Sequence, residues 1–142
     1  MSDSKSAYST GVAAQKALAQ LDAELTRKLD RAAERAKRFH ANWQAVNLND
    51  FVDKFAPGST AKIYGSKIYF QTPGSNLRIV CDIRGGYCRL QDTSISNTRR
   101  SYLDINGHNA NNKTLPNGKQ TGRKQSEYNE VTHFRILKRE EM

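Results

Sequence analysis

The hydrophobic period of this chain changes once, from 3.6 to 2 near Gly58, and that change confines the fold to helices followed by a sheet. From Val12 to Phe39 there is no Gly or Pro, and Ala, Leu, Lys, Glu and Arg dominate. Leu18, Leu21, Leu25, Leu29, Ala32, Ala36 and Phe39 recur at steps of three and four, drawing one apolar stripe down a helix about 40 Å long. Lys16, Glu24, Arg27, Lys28, Arg31 and Glu34 lie opposite it. The stripe is narrow and Ala-rich. Packing on the following domain, pairing with another helix and service as a connecting or delivery segment all stay open. A second, short helix is signalled by the capping run Asn47-Leu48-Asn49-Asp50 ahead of Phe51, Val52 and Phe55, with Ala56-Pro57-Gly58 as its stop. Trp43, Phe51 and Phe55 read as core anchors.

After Gly58 the residues alternate. Ala61–Tyr64 and Lys67–Gln71 flank Gly65-Ser66 as one hairpin, and Leu77–Ile83 and Tyr87–Gln91 form another across Gly85-Gly86. Ser101–Ile105 and Val131–Leu137 add two more strands. The expectation is an α+β fold: an N-terminal helical segment over residues 1–45, then a domain over 46–142 built on a twisted antiparallel sheet of five or six strands.

At 142 residues the chain has room for one ordinary domain with a helical extension, and not for two enzymes. Its net charge of +9 favours an anionic partner. The charge is uneven: residues 1–58 hold 9 Lys/Arg against 7 Asp/Glu, whereas residues 59–142 hold 14 against 7. A basic field of this kind attracts phosphate backbones, and equally an anionic membrane surface or an acidic protein. No apolar run approaches the ~20 residues that span a bilayer, and the polar start MSDSKSAYSTG is unlike a secretory signal. Cys81 and Cys88 flank the second hairpin turn, where a disulfide is possible but not required. His40, His108 and His133 lack metal-ligand spacing, so the expected chemistry uses neither metal nor cofactor.

The closing segment carries the sharpest chemical signal. Alternation over Thr132–Leu137 puts Thr132, Phe134 and Ile136 on one face and His133, Arg135 and Leu137 on the other. An imidazole and a guanidinium projecting together suit work on phosphodiesters, because one exchanges protons near neutral pH and the other stabilises phosphate charge. The connection Asn106–Gln125 is long, rich in Gly and Asn, free of acids, and carries Lys113, Lys119, Arg123 and Lys124. It reads as a loop that drapes cations over a nucleic-acid backbone.

With its segments RIVCDIRGGYCRLQD, RRSYLDINGHNANNK and EYNEVTHFRI, the chain resembles the C-terminal toxin domains of contact-dependent growth inhibition and other bacterial polymorphic toxin systems. More specifically, it looks like the ribonucleases of the barnase/EndoU/colicin/RelE group, over about residues 45–142. The resemblance implies metal-independent cleavage of RNA, often tRNA, by attack of a 2′-hydroxyl on the adjacent phosphorus. It also implies secretion or cell-surface delivery, action in the cytoplasm of a target bacterium, and a cognate immunity protein, expected to be acidic, in the producer.

For that chemistry His133 is the expected acid or base, and Arg135 with Arg99 and Arg100 the expected grip on the scissile phosphate. Thr132 and Tyr102 are further hydrogen-bond donors. Lys67, Lys113, Lys119, Arg123 and Lys124 are the expected RNA contacts. His108 reads as a turn residue and His40 as a cation closing a helix, which leaves a second proton-transfer residue unassigned. A rival reading is a non-catalytic nucleic-acid-binding module that stacks bases on Tyr64, Tyr69, Tyr87 and Tyr102.

Overall fold

The computed structural model describes residues 19–138. Helix α1 spans Ala23–Phe39, strand β1 Ala45–Val46 and helix α2 Leu48–Phe55. Strands β2 (Lys62–Tyr64), β3 (Lys67–Gln71), β4 (Leu77–Asp82) and β5 (Tyr87–Asp92) follow. A single 3₁₀ turn at Thr98–Arg100 leads into β6 (Tyr102–Leu103). Strands β7 (Asn112–Thr114) and β8 (Gln120–Gly122), helix α3 (Gln125–Thr132) and β9 (Phe134–Ile136) complete the described chain.

The architecture is α+β, as the change of period requires. The main sheet runs β1-β9-β5-β4-β3-β2, with β6 pairing β5 beside β9. It is mixed rather than wholly antiparallel, because β1 runs parallel to β9 at one edge. Two residues carry no alternation, so β1 left no trace in the hydrophobic pattern.

Helix α1 begins at Ala23 because Asp22 is extended and its Oδ1 accepts the Leu25 N–H at 2.7 Å, a side-chain cap that interrupts the stripe. The expected helical residues before Ala19 lie outside the described chain. Leu29, Ala32, Ala33 and Ala36 are buried, while Phe39, expected on the same stripe, is 69% exposed. The alanines are there for a reason. Gly86, at φ +69° in the β4–β5 turn, comes so close to α1 that an added Cβ would lie 2.3 Å from the Ala32 carbonyl carbon. Arg35 Nη2 donates to the Arg84 carbonyl at 3.0 Å across the same contact. The stripe therefore packs on the sheet.

Leu48, Phe51 and Val52 of α2 share one apolar core with Ile68, Phe70, Ile79, Cys81, Cys88, Leu90, Phe134 and Ile136. All eight of the last group face the helices, so their neighbours along each strand face the other way. Cys81 and Cys88 sit directly opposite each other in register, buried and as free thiols. Among the described residues no helix is long and apolar enough to cross a membrane.

The Asn106–Gln125 connection is more ordered than its composition suggests. It folds into the β7–β8 ribbon, turning at Gly118 (φ +85°), and Gln125 already belongs to α3. Likewise the expected strand Val131–Leu137 is shorter: Val131 and Thr132 end α3, His133 caps it, and only Phe134–Ile136 pair as β9. The alternation survives this change, with Thr132, Phe134 and Ile136 buried and His133, Arg135 and Leu137 partly exposed.

Candidate functional site

The face of the sheet turned away from α1 and α2 is polar and aromatic, and the register arranges it in rows. Lys67, Asp82, Tyr87 and Arg135 lie side by side across β3, β4, β5 and β9. Lys62, Tyr69, Val80 and Arg89 form the next row, and Gln71, Arg78, Gln91 and Tyr102 the third. Helix α3 covers one corner of this face. Its fully buried Tyr128 hydroxyl donates to the Tyr102 carbonyl at 3.1 Å and accepts the Tyr102 N–H at 2.8 Å, which ties α3 to β6.

Arg89 lies at the centre of that corner. Its guanidinium stacks 3.5 Å from the centre of the Tyr102 ring, and Nη2 donates to Thr132 Oγ1 at 3.2 Å. Thr132 Oγ1 in turn donates to the Tyr128 carbonyl at 2.8 Å. Burial holds the Arg89 pKa below its usual value, the nearby tyrosines opposing. Among the described residues neither Arg89 nor Arg135 pairs with a carboxylate. Among the described residues Arg89 Nε and Arg135 Nη1 are buried without a hydrogen-bond partner, and Arg135 Nε donates to the Trp43 carbonyl at 3.4 Å. Two half-buried guanidinium charges without an ion-pair partner among the described residues give the corner its positive charge, set against the Asp82 carboxylate beside Tyr87.

His133 borders Arg89. Its Nδ1 lies 2.7 Å from the Asn129 carbonyl, one turn back in α3. A carbonyl only accepts, so Nδ1 carries the proton, and in the neutral ring the lone pair is on Nε2. Burial, then the Arg89 charge, push the His133 pKa down to about 4, against the Asn129 hydrogen bond. The imidazole is therefore neutral at pH 7, in one tautomer, with its basic nitrogen free of protein partners among the described residues. Its ring is tilted against Trp43 at 4.8 Å and Tyr87 at 4.9 Å between centroids. Tyr87 Oη donates to Asp82 Oδ2 at 3.3 Å, and burial followed by the Asp82 charge raise its pKa. His40 stacks on Trp43 at 3.8 Å, nearly parallel.

His133, Arg135, Thr132 and Tyr102 thus gather in one corner, although Thr132 reaches it from a helix end and serves to hold Arg89. Arg100 stacks 4.4 Å from the Tyr128 ring centre and donates to the Arg123 carbonyl at 3.2 Å, supporting α3 from behind. Arg99 is exposed on the 3₁₀ turn. Lys67 is exposed at the far end of the first row. The loop cations are less available than the sequence suggests: Lys113 is ion-paired with Glu127, and Arg123 Nη1 donates to the Ala110 carbonyl at 3.1 Å. Lys119 and Lys124 remain exposed. His108 occupies the expected turn, its N–H donating to Asp104 Oδ1 at 3.0 Å.

Arg89 itself escaped the sequence reading, and so did the place of Trp43, which lies beside two imidazoles instead of in the core. Arg89 left a signal: in YCRLQD the buried Cys88 and Leu90 alternate with Tyr87 and Arg89, which must share the outer face. Among the described residues no group of three or more His, Cys, Asp or Glu side chains is placed to hold a metal ion. Comparison with protein-family models, curated proteins and solved structures finds no match.

Proposed function

We propose that this chain is a ribonuclease that cleaves RNA without a metal, through attack of a ribose 2′-hydroxyl. The observation that carries the reading is the single-tautomer, neutral His133 imidazole beside the Arg89 and Arg135 guanidinium groups, which pair with no carboxylate among the described residues. The phosphodiester binds in the electropositive corner. Its negative charge offsets the arginine field and raises the basicity of His133 once bound. His133 Nε2 takes the 2′-proton as O2′ bonds to phosphorus, and the P–O5′ bond breaks to leave a 2′,3′-cyclic phosphate.

Tyr87, kept protonated by burial and Asp82, turns its hydroxyl from Asp82 Oδ2 to the departing 5′-oxygen and gives up its proton there. The imidazolium then returns its proton to the phenolate against which it packs, restoring both groups. Tyr87 fills the second proton-transfer role that sequence left open. Arg89 and Arg135 stabilise charge on the phosphorane, and Tyr102 and Thr132 hold Arg89 in place.

The biological setting belongs to the same proposal: an antibacterial toxin domain, delivered from a producing cell, acting on tRNA in a target cytoplasm and neutralised by an acidic immunity protein. The basic field and the segments quoted above support it. The aromatic outer face also favours RNA binding without cleavage. Incubating short RNA with the purified chain in excess EDTA separates the two readings. Products ending in cyclic phosphate and 5′-hydroxyl, absent with His133→Ala, are expected; intact RNA would leave only the binding module.

A further inference from the structure

At the opposite end of the outer face, Lys62, Tyr64, Tyr69, Arg78 and their uncharged neighbours line a cavity of about 800 Å³. No carboxylate is among these residues. Its aromatic wall is made by Tyr64 and Tyr69, packed edge to face with ring centres 5.8 Å apart. Tyr64 is 65% exposed on the edge strand, an apolar ring left in water beside two cations. Nothing in the proton chemistry or the packing of the core uses it.

Arg78 is prepared for an anion. Its guanidinium stacks 4.8 Å from the Tyr69 ring centre, and Nε and Nη2 both donate to Gln91 Oε1, at 3.2 and 2.7 Å. Gln91 is itself fixed, its Nε2 donating to the fully buried Ser101 Oγ at 3.0 Å, which donates to the Thr98 carbonyl at 2.8 Å. The chain of bonds locks the fork in one place and leaves Nη1 without a protein partner among the described residues. Pre-organisation of this kind lowers the entropy cost of gripping a phosphate.

We infer that this cavity is a nucleotide subsite, in which a base of single-stranded RNA stacks on Tyr64 and Tyr69 while Arg78 and Lys62 hold a backbone phosphate. A planar ring beside a fixed guanidinium, with no acid in the lining, matches the two halves of a nucleotide. The inference deepens the proposed function and rests on it for the direction of the strand. Tyr69 and Arg89 occupy the same row, two strands apart, or about 10 Å at the usual strand spacing. The third row joins the two places directly, from Arg78 through Gln91 to Tyr102. An RNA strand crossing β5, β4 and β3 therefore carries its scissile phosphate at Arg89 and His133 and a neighbouring base in the cavity. Base pairing would hide that base, so the subsite selects unpaired RNA.

The test uses a fluorescein-labelled thymidine hexamer, which has no 2′-hydroxyl and stays intact whatever the catalytic chemistry. Fluorescence anisotropy against the full chain gives the affinity. Tyr64→Ala is expected to weaken binding about tenfold or more, and Tyr64→Phe to restore it, since stacking needs the ring and not the hydroxyl. Ile63→Ala alters the neighbouring exposed residue, which alternation turns to the other face, and should leave affinity within a factor of about two. A blunt duplex of the same strand length should be insensitive to Tyr64→Ala. Unchanged hexamer affinity in Tyr64→Ala, an equal loss in Ile63→Ala, or an equal loss for the duplex would overturn the subsite. If the chain binds the hexamer through Tyr64 yet leaves RNA whole, the catalytic reading falls and the subsite stands.

Discussion

The guanidinium of Arg89 lies 3.5 Å above the centre of the Tyr102 ring, and no carboxylate pairs with it among the described residues. A half-buried positive charge without a counter-ion among the described residues costs stability, and under the proposed function that cost falls where the phosphate would bind. Arg89→Met keeps the length of the side chain and removes the charge. The variant should be as thermally stable as the parent or more so, while RNA cleavage falls about 10²–10³-fold, as when a transition-state donor is lost. A variant that unfolds early yet cleaves normally per folded molecule would assign Arg89 to structure alone.

His133 offers a titration. Its pKa of about 4 lies below the ordinary 6.5 because burial and Arg89 disfavour the imidazolium. In the free protein its ring resonances should therefore move near pH 4 in a nuclear magnetic resonance titration, and a bound oligonucleotide phosphate should shift that midpoint upward. A free-protein midpoint at 6.5 or above would contradict the electrostatics of the corner.

The same shift fixes a dependence of stability on pH. Between about pH 4 and 6.5 the unfolded chain holds more protons on His133 than the folded one, so stability rises with pH through that window and falls as acid is added. Replacing His133 by Ala should flatten this part of the melting-temperature profile. Parallel profiles for parent and variant would show that His133 contributes nothing to it.

The helical segment is more than an attachment. Ala32 and Ala33 admit the Gly86 turn so closely that Gly86→Ala brings a methyl group into the α1 backbone at a positive φ. Destabilisation of about 2–4 kcal/mol is expected in chemical denaturation. By the same contact, a fragment starting at Ala45 should lose cooperative unfolding, because Leu29 no longer closes the core. A Gly86→Ala protein of parental stability would mean that α1 and the turn separate freely.

Periodicity was enough to read the helices, the two hairpins and the outer position of His133 and Arg135, since each depends on residues within a few positions of one another. What it missed depends on long-range pairing. The parallel β1–β9 contact joins residues 90 apart in sequence. Alternation alone carries the strand back through Thr132, yet Tyr128 anchors that turn to β6 and Val131 and Thr132 end α3. Arg89 could be placed on the outer face from the alternation of Cys88 and Leu90, but only the approach of α3 and β9 puts it beside His133. Charge alone marks the loop lysines as available, whereas the Glu127 that engages Lys113 belongs to the next helix.

Substitution of Tyr87 tests the second proton transfer. Tyr87→Phe keeps the ring against Trp43 and His133 and removes only the hydroxyl, so the fold should persist and cleavage should drop about 10²-fold or more. An RNA whose 5′-oxygen is replaced by sulfur, a leaving group that needs no proton, should be cleaved almost equally by parent and variant. Equal losses on both substrates would take Tyr87 out of the acid role.

The most direct measurement of the central claim alters the substrate by one atom. In a short RNA whose cleavage position has been mapped, the nucleotide on the 5′ side of the broken bond is replaced by its 2′-deoxy counterpart, and cleavage is followed in excess EDTA. Loss of cutting at that bond alone, with cyclic phosphate ends at the same bond in the unmodified RNA, is the expected result. Continued cutting at the deoxy position would contradict the account, because His133 would then have no 2′-proton to take.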